Sequence, residues 1–333
     1  MTFPPLPIRF DPLFRRKPWG GRRLSTLLGK ALPGTGPIVE SWELVSLAGA
    51  ESLVRDEPLA GSSLGELTRD WGTDLLGQAR LVDGRFPLLI KYLDARENLS
   101  VQVHPKPAAD DPGGARGGVK HECWYVVHAE PGAKLYVGLK AGVTAADVAG
   151  AMNTPALVGL LRDWEGRAGE CYYLPSGTLH ALGAGLVVAE VQTPSDITYR
   201  AYDWGRVDEA GKARELHVTE SVANIRYDVG ADEIRPAARP IVGGVGAGRR
   251  LMACERFAVD HYTAAGLQGY PLQPGTMRIW MVLRGAGCLT RTRDPHTFRC
   301  PFQTGDTVLI PAECGDTRLD LAGPAEWLEA SVP

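Results

Sequence analysis

The sequence predicts a mainly β protein built from two similar halves, and three observations support this fold class. Its 40 glycines and 25 prolines are spread between short apolar runs, which is typical of strands joined by many turns. Several of these runs alternate apolar and polar residues, as half-buried strands do. Residues 169–176 (GECYYLPS) also match residues 305–312 (GDTVLIPA) at an offset of 136 positions. The shared order of glycine, acid, apolar run and proline suits a strand that ends in a tight turn.

Length and charge restrict the class further. The chain has 333 residues, of which 44% are hydrophobic, and this size suits two domains with sizeable cores. A net charge of −3 argues against a nucleic-acid or membrane partner, and no apolar run reaches the length of a membrane span. The first residues lack the pattern of a secretory signal, and the six cysteines form no CxxC pair. We therefore expect a cytoplasmic protein with reduced thiols.

Local patterns place the elements along the chain. Strands are expected at residues 38–45, 86–95, 99–104, 122–127, 134–138, 169–175, 180–182 and 186–192, with further short strands within 250–333, and a short helix is expected at 22–28. Ser62 or Ser63 can cap a second helix that ends near Trp71. Glu66 stands three residues after Ser63, which is the spacing of a capping box.

The most convincing helical pattern lies at residues 143–164. Thr144 can cap a helix with Asp147 in its first turn. Pro155 suits a first helical position, and apolar residues as far as Trp164 recur at helical spacing. We therefore expect one small helical insertion in an otherwise β chain.

Two polar segments are expected to lie outside regular structure. The glycine- and proline-rich loop at 105–118 follows the strand at 99–104 and is a candidate rim of an active site. Residues 193–215 are polar and end the first half, and residues 216–240 are interpreted as a partly helical connection to the second.

Four side chains in strand-like segments form a candidate metal site. Gln102 and His104 stand two positions apart in one strand, so both project from the same face. Glu122 and His180 follow in later strands. Each residue alone is more often structural, but two nitrogens and two oxygens together suit Zn²⁺, with Mn²⁺, Co²⁺ or Fe²⁺ as substitutes. The absence of a thiolate ligand favours an open, catalytic site.

Three cations accompany these four side chains. Lys120 stands two residues before Glu122 and is expected to share its face. Lys91 interrupts an apolar strand, so its ammonium must reach a carboxylate, a pocket or water, and a lysine paired with a structural acid is a nearly equal alternative. Arg200 lies in a polar and aromatic stretch. Several cations near a metal suit an anionic, oxygen-rich substrate such as a sugar phosphate.

The sequence also resembles a known fold and a known family. The repeated motif resembles the second motif of the cupin β-barrel, and its second copy has Asp316 where the first has His180. Stretches similar to type I mannose-6-phosphate isomerases of the short bacterial form are 19–21 (WGG), 86–91 (FPLLIK), 99–105 (LSVQVHP), 122–125 (ECWY), 175–181 (PSGTLHA) and 199–203 (YRAYD). This likeness covers the first two-thirds of the chain.

The resemblance implies an architecture and an activity. The fold would consist of two cupin-like β-barrels (jelly rolls): a metal-binding barrel over residues 1–240, with the small helical segment at 143–164, and a degenerate barrel without metal over 241–333. The activity would be the zinc-dependent interconversion of mannose 6-phosphate and fructose 6-phosphate through an enediol, with one zinc ion per chain. A monomer that binds a small-molecule sugar phosphate is expected.

Residue roles follow from the same resemblance. The zinc ligands would be Gln102, His104, Glu122 and His180; the candidate catalytic residues would be Arg200, Lys120 and Glu190; and the candidate substrate-binding residues would be Lys91 and Ser100. The base that moves the proton between C2 and C1 is left open among Glu190, Lys120 and a metal-activated hydroxide.

Two other functions stay open from the residues alone. An iron-dependent cupin oxidoreductase would use two histidines and one carboxylate, and a fourth ligand such as Gln102 does not favour it. A non-catalytic sugar-binding cupin would not need a cluster of cations around its metal. The residues Trp19, Trp42 and Trp124 are interpreted as core residues rather than as platforms for a sugar.

Overall fold

The structure is a computed structural model, which describes residues 4–107, 118–208, 210–293 and 296–333. Most of the loop expected at 105–118 lies outside the described residues. Antiparallel strands dominate the described chain, which confirms the predicted mainly β class. Within those ranges no helix combines the length and the apolar character that crossing a bilayer requires.

The first half contains 14 strands and five helices among its described residues. The strands are β1 (Ile8–Arg9), β2 (Leu13–Arg15), β3 (Glu40–Leu44), β4 (Ser46–Leu47), β5 (Ala50–Glu51), β6 (Leu89–Ala95), β7 (Val101–Val103), β8 (Glu122–Ala129), β9 (Lys134–Leu139), β10 (Leu161–Glu165), β11 (Cys171–Leu174), β12 (His180–Leu182), β13 (Leu186–Gln192) and β14 (Tyr199–Tyr202). The helices are α1 (Arg23–Leu28), α2 (Leu64–Trp71), α3 (Thr73–Leu76), α4 (Ala145–Ala151) and α5 (Ala156–Leu160).

Two helices in the connection lead into the second half, which continues as strands. The helices are α6 (Val218–Asn224) and α7 (Ala231–Ile234). The strands are β15 (Arg239–Ile241), β16 (Ala247–Ala253), β17 (Ala258–Ala264), β18 (Tyr270–Pro271), β19 (Arg278–Arg284), β20 (Ala286–Arg293), β21 (His296–Gln303), β22 (Thr307–Ile310), β23 (Thr317–Leu321) and β24 (Ala325–Ser331).

Each half folds into two facing sheets. In the first half, a six-stranded sheet (β11-β8-β13-β6-β3-β2) faces a five-stranded sheet (β10-β9-β12-β7-β14). Leu93 and Val188 of the larger sheet share a core with Leu135 and Leu182 of the smaller one. The site described below lies between these two sheets.

The second half repeats this arrangement. A seven-stranded sheet (β1-β22-β19-β24-β17-β16-β15) faces a four-stranded sheet (β18-β23-β20-β21), and Trp280 and Trp327 pack against Leu289 and Phe302. Strand β1 comes from the beginning of the chain and pairs with β22, so residues of the first half complete a sheet of the second. The division at residue 240 stays a prediction.

The two larger sheets pack back to back. Ile90, Tyr92 and Cys123 of the six-stranded sheet share a core with Ile279 and Leu309 of the seven-stranded sheet. Because side chains of a strand alternate between faces, the residues between these core positions point the other way, into the space between the six- and five-stranded sheets. This alternation supplies the site with side chains from the middle of a buried sheet.

The register of the strands matches the internal repeat of the sequence. In the first half Trp124 of β8 lies opposite Tyr172 of β11, and in the second Trp280 of β19 lies opposite Val308 of β22. Tyr172 and Val308 are equivalent positions of the repeated motif. The two sandwiches are thus built on the same strand pairing.

The expected helix at 143–164 is partly wrong. Thr144 caps α4 with a capping box to Asp147, as expected, and α5 follows Pro155. The helical structure ends at Leu160, and the next five residues form β10 on the edge of the five-stranded sheet, paired with β9. Their apolar residues pack into a sheet, and the spacing of apolar residues cannot distinguish this from helix over so short a stretch.

Strand β14 is a second difference from expectation, because it lies in the segment 193–215 that is polar in sequence. Its edge position leaves Tyr199 and Arg200 only partly buried. An edge strand that pairs with one neighbour needs few apolar residues, so the polar composition of this segment did not indicate a strand.

Removal of the cap of α2 should destabilise the protein measurably. The Ser63 side chain accepts a hydrogen bond from the Glu66 amide, and the Glu66 carboxylate accepts one from the Ser63 amide, a complete capping box. We expect Ser63→Ala to lower the free energy of unfolding by about 1 kcal/mol, measured by urea denaturation. Ser62→Ala is the matched control, and an equal loss in both variants would contradict the assignment.

Candidate functional site

One wall of the site is a row of side chains across the six-stranded sheet. Antiparallel pairing places Trp124 of β8 beside Glu190 of β13, and Glu190 beside Lys91 of β6. Trp42 of β3 follows, opposite Lys91. The indole Nε1–H of Trp124 donates a hydrogen bond of 2.8 Å to Glu190 Oε2. The row therefore holds a buried carboxylate in a fixed position beside a buried ammonium.

The facing wall is a shorter row across the five-stranded sheet. His180 of β12 pairs with Gln102 of β7, and Gln102 pairs with Arg200 of β14. Neighbouring strands lie about 4.8 Å apart, so one row carries an imidazole, an amide and a guanidinium in order. The tight turn before β12 includes Gly177, whose φ of 87° suits glycine.

The structure brings His104, Glu122 and His180 together as a candidate metal centre. Their ligand atoms all lie within 4.8 Å of one another, and all three residues are buried. Glu122 Oε1 lies 3.3 Å from His104 Nε2, and Glu122 Oε2 lies 3.4 Å from His180 Nε2. Ligand atoms about 2.0–2.1 Å from one zinc ion in a tetrahedron stand about 3.4 Å apart, so the observed spacings fit a divalent cation.

Hydrogen bonds orient both imidazoles for a metal. His104 Nδ1 lies 2.8 Å from the Ile197 carbonyl oxygen, and His180 Nδ1 lies 2.8 Å from that of Thr178. Each Nδ1 therefore carries the proton and donates it, which leaves a lone pair on Nε2, as is usual for metal-bound histidines. His180 Nε2 and Glu122 Oε2 are buried and find no hydrogen-bond partner among the described residues. A bound cation would satisfy both.

Lys120 contacts the same group of atoms. Its Nζ lies 2.5 Å from Glu122 Oε1 and 3.2 Å from His104 Nε2. The expectation that Lys120 shares the face of Glu122 is consistent with these contacts. The cluster thus already accommodates one positive charge between a carboxylate and an imidazole.

Burial and local charge set the protonation states of the cluster. Burial lowers the pKa of the His180 imidazole to about 3. Burial also lowers the pKa of the His104 imidazole, and the nearby Lys120 ammonium lowers it further. Burial alone would raise the pKa of the Glu122 carboxyl, but Lys120 and the histidines hold it well below its usual range. Neutral imidazoles and an ionised carboxylate are the forms that bind divalent metals.

A cavity of about 450 Å³ opens beside this cluster. Such a volume is in the range of small-molecule sites. It is lined by six cationic side chains, Arg15, Lys17, Lys91, Lys120, Arg200 and Arg214, and by four acids, Glu40, Glu122, Glu190 and Asp196. Ser100, Gln102 and Thr198 add polar groups, and Trp19, Trp42 and Trp124 add aromatic surface. The excess of cations favours an anionic ligand.

Lys91 lies at the centre of a charged group in this cavity. Its Nζ is 3.5 Å from Glu190 Oε1 and 3.6 Å from Glu40 Oε2, and 4.8 Å from the centroid of the Trp42 ring. Burial and the Glu122 charge raise the pKa of Glu190, although Lys91 opposes them. Lys91 therefore pairs with buried acids and also reaches a pocket, which are the two arrangements that the sequence left open for its ammonium.

Arg200 and Ser100 also line the cavity. The Arg200 guanidinium is half-buried and donates from Nη1 to the Glu215 carbonyl oxygen at 2.9 Å. Its Nε is buried and has no hydrogen-bond partner within the described part of the chain. Ser100 is buried directly before β7. All nine residues singled out from the sequence thus lie in the cluster or line the cavity.

Sequence reasoning missed several residues of the cavity. Trp19, Trp42 and Trp124 are buried, as expected of core residues, but all three also line the cavity. Arg15, Glu40 and Arg214 come from segments that carried no motif. The alternation of Glu40 and Trp42 on one face of a strand was the available signal, because a carboxylate beside a large aromatic residue is unusual in a buried sheet.

Comparison with known proteins is consistent with this site. Residues 8–113 match the family model of the phosphomannose isomerase type I catalytic domain. The chain is 32% identical to the probable mannose-6-phosphate isomerase GmuF of Bacillus subtilis, over 97% of this chain and 98% of the relative. It is also 32% identical to the mannose-6-phosphate isomerase ManA of the same organism, over 94% of this chain and 96% of the relative.

The likeness extends to the fold. The crystal structure of the mannose 6-phosphate isomerase from Bacillus subtilis matches with a TM-score of 0.82 at 29% identity, over 98% of this chain and 99% of that chain. The agreement supports the predicted pair of cupin-like jelly rolls, and both the sequence relatives and this structure cover the C-terminal third as well. This chain belongs to the type I mannose-6-phosphate isomerase family.

Proposed function

We propose that this protein is a zinc-dependent isomerase that interconverts mannose 6-phosphate and fructose 6-phosphate. The observation that carries the proposal is the convergence of His104, Glu122 and His180 beside a cavity lined by an excess of cations. Two of the ligand atoms, His180 Nε2 and Glu122 Oε2, have no hydrogen-bond partner among the residues described. A solved mannose 6-phosphate isomerase that shares the fold, with a TM-score of 0.72 at 18% identity, is described as bound with zinc and yttrium.

We assign the zinc ligands to Gln102, His104, Glu122 and His180. The assignment of Gln102 is supported by its place opposite His180 in the sheet and by its position on the cavity wall. An amide oxygen, a carboxylate and two imidazoles suit zinc, and Mn²⁺, Co²⁺ or Fe²⁺ can occupy such a set. A zinc ion held by these residues would act as a Lewis acid toward the substrate oxygens.

The remaining residues move protons and stabilise charge. Glu190 is the proposed base that takes the C2 proton and returns it to C1, since its pKa is raised. Among the described residues its Oε1 accepts no hydrogen bond, although the Lys91 ammonium lies 3.5 Å away. Lys120 donates hydrogen bonds toward the ligand cluster and holds a positive charge where the enediolate develops. Arg200 stabilises that negative charge from the facing sheet.

Lys91 and Ser100 are the proposed substrate-binding residues. Both lie on the cavity wall, where an ammonium and a hydroxyl can bind the sugar hydroxyls and the phosphate. The contacts of Lys91 with Trp42, Glu40 and Glu190 hold its ammonium in place on the cavity wall. This rigid cation favours an anionic sugar over a neutral one.

We further propose that the protein acts in the cytoplasm as a monomer. All six cysteines are free thiols, which agrees with a reducing compartment. Light scattering of the purified protein tests the monomer.

Metal removal should abolish turnover reversibly. We expect one zinc per chain by elemental analysis. Chelation should abolish the isomerisation of mannose 6-phosphate, and restored Zn²⁺ should recover it, because the metal would polarise the carbonyl oxygen of the substrate. Sugar binding is measured in parallel by calorimetry. Binding without turnover in the zinc-loaded protein would favour a sugar-binding cupin, and oxygen consumption by the iron-loaded protein would favour an oxidoreductase.

A further inference from the structure

We propose that Cys123 and Cys171 form a peroxide-reactive dithiol, which is a modification site. It lies on the far side of the six-stranded sheet from the cavity of about 450 Å³ beside the metal cluster, here called the sugar-phosphate cavity. Oxidation of this pair to a disulfide lowers the isomerase activity. The activity readout rests on the proposed function, whereas the disulfide itself does not.

The two thiols lie on neighbouring strands and face each other. Strands β8 and β11 pair so that Cys123 lies opposite Tyr173 and Cys171 lies opposite Tyr125. The cysteines are therefore diagonal neighbours on one face of the sheet, and their Sγ atoms are 3.1 Å apart. A disulfide bond is about 2.05 Å long, so the sulfur atoms need to approach by about 1 Å.

Solvent reaches one of the two thiols by its own route. Cys123 is 1% exposed, but Cys171 is partly exposed and lines a cavity of about 430 Å³ that is separate from the sugar-phosphate cavity. Two arginines, Arg235 and Arg249, and two acids, Glu170 and Asp232, line the same cavity. Partial exposure lets an oxidant reach the Cys171 thiol, and cysteine oxidation depends on such access.

The chemistry balances with a hydroperoxide as the oxidant. The Cys171 thiolate attacks one peroxide oxygen of hydrogen peroxide, the O–O bond breaks, and the product is a sulfenic acid and, after proton uptake, one water. Cys123 sulfur then attacks the Cys171 sulfenic sulfur, the S–O bond breaks, and a second water leaves with the Cys123 proton. Two thiols and one peroxide thus give one disulfide and two waters.

The position of Cys123 links the disulfide to the active site. Cys123 stands between Glu122, whose carboxylate belongs to the metal cluster, and Trp124, which donates to Glu190. Both neighbours project from the opposite face of the same strand. A shift of β8 by a fraction of the 1 Å closure moves both groups, and misplacement of catalytic groups on this scale lowers rates by up to about 100-fold.

Peroxide titration of the zinc-loaded, fully reduced protein tests the proposal. After oxidation, remaining thiols are alkylated and peptide masses identify the paired cysteines. We expect a disulfide between Cys123 and Cys171, a fall of at least about tenfold in kcat/KM and full recovery with dithiothreitol. Cys171→Ser and Cys171→Ala should keep the activity of the reduced protein and lose the peroxide response.

Cys254→Ser is the matched control, because Cys254 also packs against the core between the sandwiches but its Sγ contacts main-chain atoms of residues 256 and 257. It should respond to peroxide as the unsubstituted chain does. The proposal is overturned if the peptides show no pairing of Cys123 with Cys171, if the disulfide forms without loss of activity, or if the Cys171 variants are inactivated equally. A reduced protein without isomerase activity would instead refute the proposed function. The peptide masses would still show whether Cys123 and Cys171 form a disulfide.

Discussion

His104→Ala should remove the metal and the activity together. The imidazole supplies one of three clustered ligand atoms, and its loss leaves Glu122 with one fewer partner for a divalent cation. Since loss of an outer-shell partner alone costs about 10–100-fold in metal affinity or activity, we expect a direct ligand to cost more than about 100-fold in both. Zinc per chain by elemental analysis and kcat/KM on mannose 6-phosphate are the two measurements.

His128→Ala is the control for this experiment. His128 also lies in β8, opposite Val187, but at the partly buried end of the strand and away from the cluster. It should retain full zinc content and activity. If His104→Ala keeps one zinc per chain and normal turnover, the assignment of the metal centre is wrong.

The mainly β fold was predictable because its strands carry strong local patterns. Continuous or alternating apolar runs marked β6, β8, β9 and β13, and glycine–proline turns marked their ends. The repeat at residues 169–176 and 305–312 also predicted two similar halves, and the opposition of Trp124 to Tyr172 and of Trp280 to Val308 agrees with this prediction. Strand β10 was not predictable, because a five-residue strand beside a helix shares the apolar spacing of a longer helix.

The metal ligands were predictable from residue chemistry, but the support around them was not. Gln102 and His104 stand out because two polar groups project from one face of an apolar strand. The hydrogen bond from Trp124 to Glu190 depends on strand register between residues 66 positions apart, which no local pattern encodes. The contact between Cys123 and Cys171 has the same cause, since only the pairing of β8 with β11 brings the two sulfurs together.

Arg200→Ala should lower kcat without changing zinc content. Arg200 stands one strand beyond Gln102 and contacts none of the three clustered ligands in its hydrogen bonds. Its guanidinium is proposed to stabilise the enediolate, and loss of one such donor costs about 10²–10³ in kcat. Steady-state kinetics on mannose 6-phosphate measure kcat, and elemental analysis measures zinc per chain.

Two matched variants separate this role from a structural one. Arg162→Ala removes a half-buried arginine whose Nη1 also donates to a backbone carbonyl oxygen, that of Val229, and should leave kcat unchanged. Arg200→Lys keeps the charge but not the planar, multiple-donor geometry of guanidinium, so we expect kcat between those of the unsubstituted chain and Arg200→Ala. If Arg200→Ala turns over normally, the enediolate is stabilised by other groups, and Lys120 becomes the cation to test, because it lies nearest the ligand cluster.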